Sequence, residues 1–162
     1  IDFNVPWSGE GHWFSCLAAQ CANHVGVGSR KVYNYRLNNA GSGLTNFKVV
    51  MGTNALWNTK NIGNKLVHPT KRLKAAVNYH IWSCYHFILM LITATNSKQE
   101  YAKEYKECLV KTKTMLPSVL LHSEVTWKHK IKMILITMFP VTYAKYSIKK
   151  NRKELEKDLK NL

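Results

Sequence analysis

Residues 6–14, PWSGEGHWF, place a lone carboxylate, Glu10, between two glycines and just ahead of an apolar helical pattern. The positive end of a helix dipole stabilises a carboxylate in the first turn, and the neighbouring glycines leave it accessible to a substrate. Glu10 could therefore take part in chemistry on a bound substrate. The competing interpretation is that Glu10 only compensates the helix dipole.

A second group of candidate residues lies in the segment SRKVYNYRL, residues 29–37. The guanidinium of Arg36 could bind phosphate oxygens in a bidentate manner, and Tyr35 could support it. The ordinary alternatives are an exposed strand arginine and tyrosines that pack within a sheet. Trp7 is expected in the core or in the wall of a pocket.

The elements that must position these residues are mostly helices. The apolar spacing predicts a helix that begins at Ser8 or Gly9, and residues 29–37 alternate as a strand does. Helical patterns follow from Thr45 onward, with a long helix after Pro69. The fold predicted is α/β and mostly helical, with a short sheet whose partner strands must come from elsewhere, since one or two strands cannot stand alone.

Two later segments are unusually apolar. Residues 75–97 carry no formal charge, and polar side chains interrupt them, so a buried or membrane-surface helix is favoured over a membrane span. Residues 127–139, WKHKIKMILITMF, place lysines beside a hydrophobic run, which is a basic amphipathic pattern. Pro117 is predicted to end or restart one helix, and Pro140 to kink or break another.

The net charge of the chain limits the classes of partner that it is expected to bind. Its 162 residues carry a formal net charge of +15, which attracts nucleic acid, acidic lipid headgroups or a phosphorylated substrate. The four cysteines form no CxxC pair, so a zinc site is not favoured, and reduced core thiols in a cytosolic compartment are expected. Because the sequence begins with Ile1, we expect a piece of a longer protein or a truncated reading frame.

The order of motifs over residues 9–45 resembles the second half of the catalytic domain of glycosyltransferase family 2. The matching pieces are Gly9-Glu10, Phe14 with the helix that follows it, Tyr33-Asn34-Tyr35-Arg36, and the turn from Ser42 to Thr45. The resemblance implies that residues 1–60 form the C-terminal part of a GT-A-type, nucleotide-diphospho-sugar transferase domain. Residues 61–162 would then form a basic helical C-terminal region.

The resemblance also implies an activity, the transfer of a sugar from a nucleotide-sugar donor to a surface polysaccharide or lipopolysaccharide acceptor. It implies catalytic roles for Glu10 and His12 and substrate-binding roles for Trp7, Tyr35, Arg36 and Ser42. Gly11 stands where the family has an aspartate, and the nucleotide-binding half is missing, so the isolated chain is expected to be inactive. A divalent metal, Mg²⁺ or Mn²⁺, is expected for the full-length family, although no metal ligands are identifiable in this chain.

A lipid-linked acceptor would place the protein in the cytoplasm or peripherally on the cytoplasmic face of the inner membrane. The alternative is a non-catalytic, basic helical protein that binds a membrane surface or nucleic acid. Nucleic acid is the less favoured partner, because the sequence contains no zinc finger, clear helix-turn-helix or ribonucleoprotein motif.

Overall fold

The computed structural model describes residues 5–6, 9–29 and 47–160 of the chain. Six helices account for the regular structure in these ranges. In chain order they are α1 (Glu10–Cys21), α2 (Val49–Asn64), α3 (Lys71–Ala94), α4 (Ala102–His122), α5 (Trp127–Met138) and α6 (Pro140–Lys160).

The predicted α/β fold is wrong for the described part of the chain, which contains no strand and no sheet. The predicted strand at residues 29–37 lies, apart from Ser29, outside the described residues. The physical reason is that the apolar residues of the described segments recur with the helical period. These segments therefore form helices, and none of them supplies a partner strand for a sheet. Half of a GT-A-type domain is therefore not what these residues form. The predicted domain boundary after residue 60 falls inside α2.

The central element is α3, which packs against α2, α4 and α6. Its buried residues contact Val49 and Met51 of α2 and Tyr105 and Cys108 of α4. These α3 residues are Tyr85, Ile88, Leu89, Leu91 and Ile92. The prediction of a helix over the uncharged run is therefore confirmed, and its apolar side chains form the core.

Close packing of α2 on α3 depends on Gly52. A Cβ atom at this position would lie 2.7 Å from Cγ1 of Ile88 and 3.3 Å from the backbone Cα of the same residue. Real Cβ contacts are not this short, so the two helices approach each other this closely only because residue 52 lacks a side chain.

A second apolar cluster joins α3, α4 and α5 through Trp82, Val119, Met133 and Ile136. The indole Nε1 of Trp82 donates a hydrogen bond to the carbonyl of Thr112 at 3.0 Å. The buried Trp82 side chain thus has its polar atom satisfied, and it fixes α4 against α3.

By length and composition α3 could also cross a membrane, and 39% of its most apolar window is buried in the fold. Core helices share this composition, and α3 occupies the centre of the helical packing. Its first turn is capped by Thr70, whose Oγ1 accepts a hydrogen bond from the backbone N–H of Leu73 at 3.2 Å. Pro69 precedes this cap.

The two later prolines behave differently from each other. Pro140 separates two helices as predicted, because α5 ends at Met138 and α6 begins at the proline. The prediction that Pro117 ends or restarts a helix is wrong, because α4 runs through it without a break. Pro117 and Lys113, whose carbonyl loses its helical donor, are both exposed, so water can satisfy the carbonyl.

Candidate functional site

Four of the predicted site residues, Trp7, Tyr35, Arg36 and Ser42, lie outside the described residues. Glu10 and His12 are the two that can be placed, and both are exposed on α1. The predicted pocket between the carboxylate of Glu10 and the guanidinium of Arg36 therefore stays a prediction.

Glu10 is the first residue of α1, and its Oε2 accepts a hydrogen bond from the backbone N–H of Gly9 at 3.1 Å. Gly9 has a φ of 120°, a conformation that residues with a side chain rarely adopt, and a Cβ atom there would lie 2.8 Å from Nδ2 of Asn58. Asn58 also donates to the carbonyl of Pro6 at 3.2 Å. These contacts hold the start of α1 against α2 and leave the carboxylate at the surface.

His12 lies beside Cys16 and His80. Its Nδ1 is 3.7 Å from Sγ of Cys16, and the centroids of the two imidazole rings are 5.5 Å apart. The three side chains face a mainly apolar cavity of about 360 Å³ between α1, α2 and α3. Its other lining residues are Ala19, Gln20, Thr59, Ile62, Leu66, Leu73, Ala76 and Val77. Sequence reasoning missed this grouping, because His80 is far from His12 along the chain.

The cavity disfavours charge. Burial lowers the pKa of His80, and the nearby charge of His12 lowers it further. Burial also raises the pKa of the Cys16 thiol, which keeps it protonated and weakly nucleophilic. Apolar walls and a neutral thiol suit neither a sugar nor a diphosphate.

The divalent metal implied by the resemblance does not fit the described residues. Mg²⁺ and Mn²⁺ prefer oxygen ligands, whereas the grouping around His12 offers imidazole nitrogens and a thiol. Within the described ranges, no three His, Cys, Asp or Glu side chains are arranged to hold a metal ion. All four cysteines are free thiols, and Cys108 is the one that is buried.

A different candidate site lies on α5, where large apolar side chains are exposed along one face. We call this set the α5 apolar surface, and its members are Trp127, Ile131, Ile134, Leu135, Met138 and the adjoining Phe139. Trp127 is 67% exposed and Met138 is 62% exposed. From Trp127 to Met138 the spacing is i, i+4, i+7, i+8 and i+11, so these side chains form one continuous stripe on the helix.

The opposite face of α5 is buried in the fold. Met133 is fully inaccessible, and Ile136 and Thr137 are nearly so. A surface helix that buries one apolar face normally presents polar residues on the other. Because α5 is apolar on both faces, its outward face is an exposed apolar patch, and such patches mark sites of interaction with a protein or a membrane.

Lysines border the α5 apolar surface on both sides. At 100° per residue, Lys128 and Lys132 fall along one edge of the stripe and Lys130 falls along the other. The ammonium of Lys128 lies 5.9 Å from the ring centroid of Trp127, and that of Lys132 lies 5.6 Å from the ring of Tyr143. The helix itself contains no acidic residue.

The α5 helix is held firmly at its first turn. Thr126 caps it, since its Oγ1 accepts a hydrogen bond from the backbone N–H of His129 at 3.4 Å. The Nε2 of His129 is hydrogen-bonded to the hydroxyl of Tyr79 on α3 at 2.9 Å. The exposed stripe therefore lies on a helix whose first turn is capped and hydrogen-bonded to α3.

No protein-family model, curated protein or solved structure matches this chain at a significant level. Geometry, burial and charge are therefore the grounds on which the α1 site and the α5 apolar surface can be compared. On these grounds the α5 apolar surface is the stronger candidate, because it combines an exposed apolar stripe with lysines on both edges and no acidic residue in the helix.

Proposed function

We propose that this protein is a non-catalytic, basic helical protein that binds the surface of an acidic membrane through the α5 apolar surface. The observation that carries the proposal is an exposed apolar stripe with lysines on both edges. In such an arrangement the apolar side chains enter the boundary between headgroups and acyl chains, while the lysines contact acidic headgroups. The acidic leaflet available to a cytoplasmic protein is the inner one.

The charge of the chain favours a membrane over a second copy of itself. Two copies that met through this stripe would bring six lysine side chains together with no acidic residue of α5 to oppose them. The formal net charge of +15 adds a general repulsion between copies. An acidic bilayer supplies the opposite charge and an apolar interior at the same time.

The same stripe argues against nucleic acid as the partner. Nucleic acid is bound mainly through Lys and Arg contacts to phosphates, with stacking on aromatic rings. Ile131, Ile134 and Leu135 occupy the middle of the stripe, and they offer nothing to phosphates. A hydrocarbon environment is the one that gains from their burial, by about 25 cal/mol per Å² removed from water.

Cosedimentation with vesicles tests the proposal. The native chain should bind vesicles of phosphatidylcholine and phosphatidylglycerol, and bind vesicles of phosphatidylcholine alone much more weakly. The double variant Ile131→Ser/Leu135→Ser should lose at least about tenfold in vesicle binding, since two exposed apolar side chains are removed. Val67→Ser/Val110→Ser is the matched control, because both valines are exposed to a similar extent and neither belongs to the α5 apolar surface. Equal binding by the two double variants would refute the proposal.

Sugar transfer is a second proposal, favoured by the exposed carboxylate of Glu10 at the start of α1 and by the resemblance over residues 9–45. In this proposal Glu10 accepts the proton of the acceptor hydroxyl, and His12 is the substitute base. Trp7, Tyr35, Arg36 and Ser42 bind the donor and the acceptor. Membrane binding through α5 would bring such an enzyme to a lipid-linked acceptor, so this proposal keeps the membrane contact of the first and differs from it in adding catalysis.

Nucleotide binding separates the two proposals. Calorimetry with uridine diphosphate should be carried out on this chain, on any longer form recovered from the upstream coding sequence, and on Gly11→Asp in both. Binding and donor hydrolysis by the longer form, lost in Glu10→Gln, would support sugar transfer. Absence of nucleotide binding from every form would leave membrane binding as the function.

A further inference from the structure

The beginning of α3 and the last turns of α4 enclose an open cleft of about 340 Å³. Six of its eight lining side chains are basic or hydrogen-bonding, and the apolar side chains of Ala75 and Val119 complete the lining. The six are Lys71, Arg72, Lys74, Asn78, Ser118 and His122. On α3 the residues at 71, 74 and 78 share one helix face, and on α4 the residues at 118 and 122 are one turn apart, so the two faces meet across the cleft.

The protein neutralises only part of the charge in this cleft. Arg72 pairs with Glu124 at 2.8 Å, whereas no carboxylate within the described residues forms an ion pair with Lys71 or Lys74. Both lysines lie in the first turn of α3, where the helix dipole adds partial positive charge, and the last turn of α4 across the cleft offsets part of it. The amide of Asn78 and the hydroxyl of Ser118 can donate hydrogen bonds beside them.

We propose that this cleft binds a phosphate monoester, carried either by a lipid headgroup or by a small soluble molecule. Two ammonium groups match the charge of about −2 on a monoester, and the amide and hydroxyl donors match its additional oxygens. A carboxylate carries half that charge and offers fewer oxygens, so it fits the cleft less well. The lipid form of this inference rests on the proposed membrane binding, whereas the soluble form does not.

The position of the cleft favours the lipid as the source of the phosphate. Arg72 lines the cleft and pairs with Glu124, which precedes Trp127 of the α5 apolar surface by three residues. A phosphate held by Lys71 and Lys74 would therefore lie on the side of the fold where α5 begins. One lipid headgroup could be bound in the cleft while α5 rests on the same membrane.

Two measurements on the full chain test the inference. In the first, glycerol 3-phosphate is titrated into the ¹⁵N-labelled protein, and saturable shifts are expected at the amides of Lys71, Lys74 and His122. In the second, binding is compared between phosphatidylcholine vesicles that contain phosphatidic acid and others that contain oleic acid, at matched surface charge. The native chain should prefer the phosphatidic acid vesicles at least about fivefold.

The double variant Lys71→Gln/Lys74→Gln should weaken glycerol 3-phosphate binding at least about tenfold and abolish the preference for phosphatidic acid. Lys103→Gln/Lys106→Gln is the matched control, since these α4 lysines are exposed, have the same spacing and do not line the cleft. Asn78→Asp provides a further variant, because it leaves both lysines in place and puts a repelling carboxylate at the cleft.

The outcomes distinguish this inference from the proposed function. Shifts with glycerol 3-phosphate but no lipid preference would identify a soluble phosphate as the ligand, and the reverse would identify the headgroup. No shift and no preference, or equal losses in the cleft variant and its control, would overturn the inference. Membrane binding is judged separately, by the Ile131→Ser/Leu135→Ser variant on phosphatidylglycerol vesicles.

Discussion

The two apolar helices α3 and α5 differ in what their apolar side chains meet. The apolar residues in the second half of α3 are enclosed by α2 and α4, and Leu91 and Ile92 are fully inaccessible. In α5 one apolar face is enclosed, and the other is exposed with lysines along both edges. Apolar sequence alone therefore does not determine burial. The lysines along the edges of the α5 stripe distinguish an apolar helix with an exposed binding face from one whose apolar residues are enclosed.

The largest expected effect is the loss of a core side chain from α3. Ile92→Ala should lower the free energy of unfolding by about 3 kcal/mol, because it removes buried methyl and methylene groups and leaves a cavity. Urea denaturation followed by circular dichroism measures this loss. A change below about 1 kcal/mol would mean that α3 is not the centre of the core, and the contrast with α5 would disappear.

The stability of the packing around α3 should depend on pH because of His86. It lies on α3 between Trp82 and Tyr143, with ring centroids 6.2 Å and 5.6 Å away, and its buried Nε2 has no hydrogen-bond partner within the described residues. Burial lowers its pKa from 6.5 to about 4, and the charge of Lys132 on α5 contributes to the same shift. The neutral form is therefore the one that the fold accepts.

Because the pKa of His86 is lower in the folded chain than in the unfolded chain, the unfolded chain binds the proton first as the pH falls. The contribution of neutral His86 to the free energy of unfolding should be complete above pH 6.5. It should be lost between pH 6.5 and about 4, which lowers the free energy of unfolding by an amount on the order of 3 kcal/mol. Urea midpoints measured across this range test the expectation. His86→Phe keeps a ring against Trp82 and should remove most of the decrease. An unchanged pH profile in that variant would assign the decrease to other groups.

Removing the N-cap hydroxyl should lower the free energy of unfolding by a similar amount in α3 and in α5. Thr70 caps α3 and Thr126 caps α5, each through its Oγ1 and a backbone N–H three residues later. Thr70→Ala and Thr126→Ala should each cost about 1 kcal/mol in unfolding free energy, and replacement by Ser should cost little. Thermal denaturation of the four variants measures this. If Thr126→Ala had no effect, the first turn of α5 would not be held by its cap.

Several of these features could be predicted from the sequence, and the reasons are local. The uncharged run after Lys74 predicts the central helix, and the proline at 140 predicts the break before α6, since both depend on neighbouring residues only. The cationic amphipathic pattern of residues 127–139 indicates a helix with lysines beside apolar residues. Within that pattern, however, nothing says which of two apolar faces of α5 is buried.

The features that sequence reasoning missed depend on contacts between distant segments. The expectation of a sheet treated the Tyr-rich segment as a strand without knowing whether partner strands exist. The break expected at Pro117 ignored the tolerance of an exposed helix for a proline. The pairing of Arg72 with Glu124 and the approach of His12 to His80 join residues more than fifty positions apart. Tertiary packing decides such contacts, and a single sequence does not display them.

The smallest effect on stability is expected on the exposed face of α5, where it is also the most informative. Leu135 is 52% exposed, so Leu135→Ala should change the unfolding free energy by less than about 0.5 kcal/mol. Met133→Ala, two residues earlier on the inaccessible face, should cost about 3 kcal/mol. Urea denaturation of the pair measures how different the two faces of one helix are. Since the exposed leucine contributes little to folding, a loss of vesicle binding in Leu135→Ala at unchanged stability would mean that its role is in binding. A loss of stability equal to that of Met133→Ala would instead mean that both faces are packed within the protein, and the membrane proposal would lose its surface.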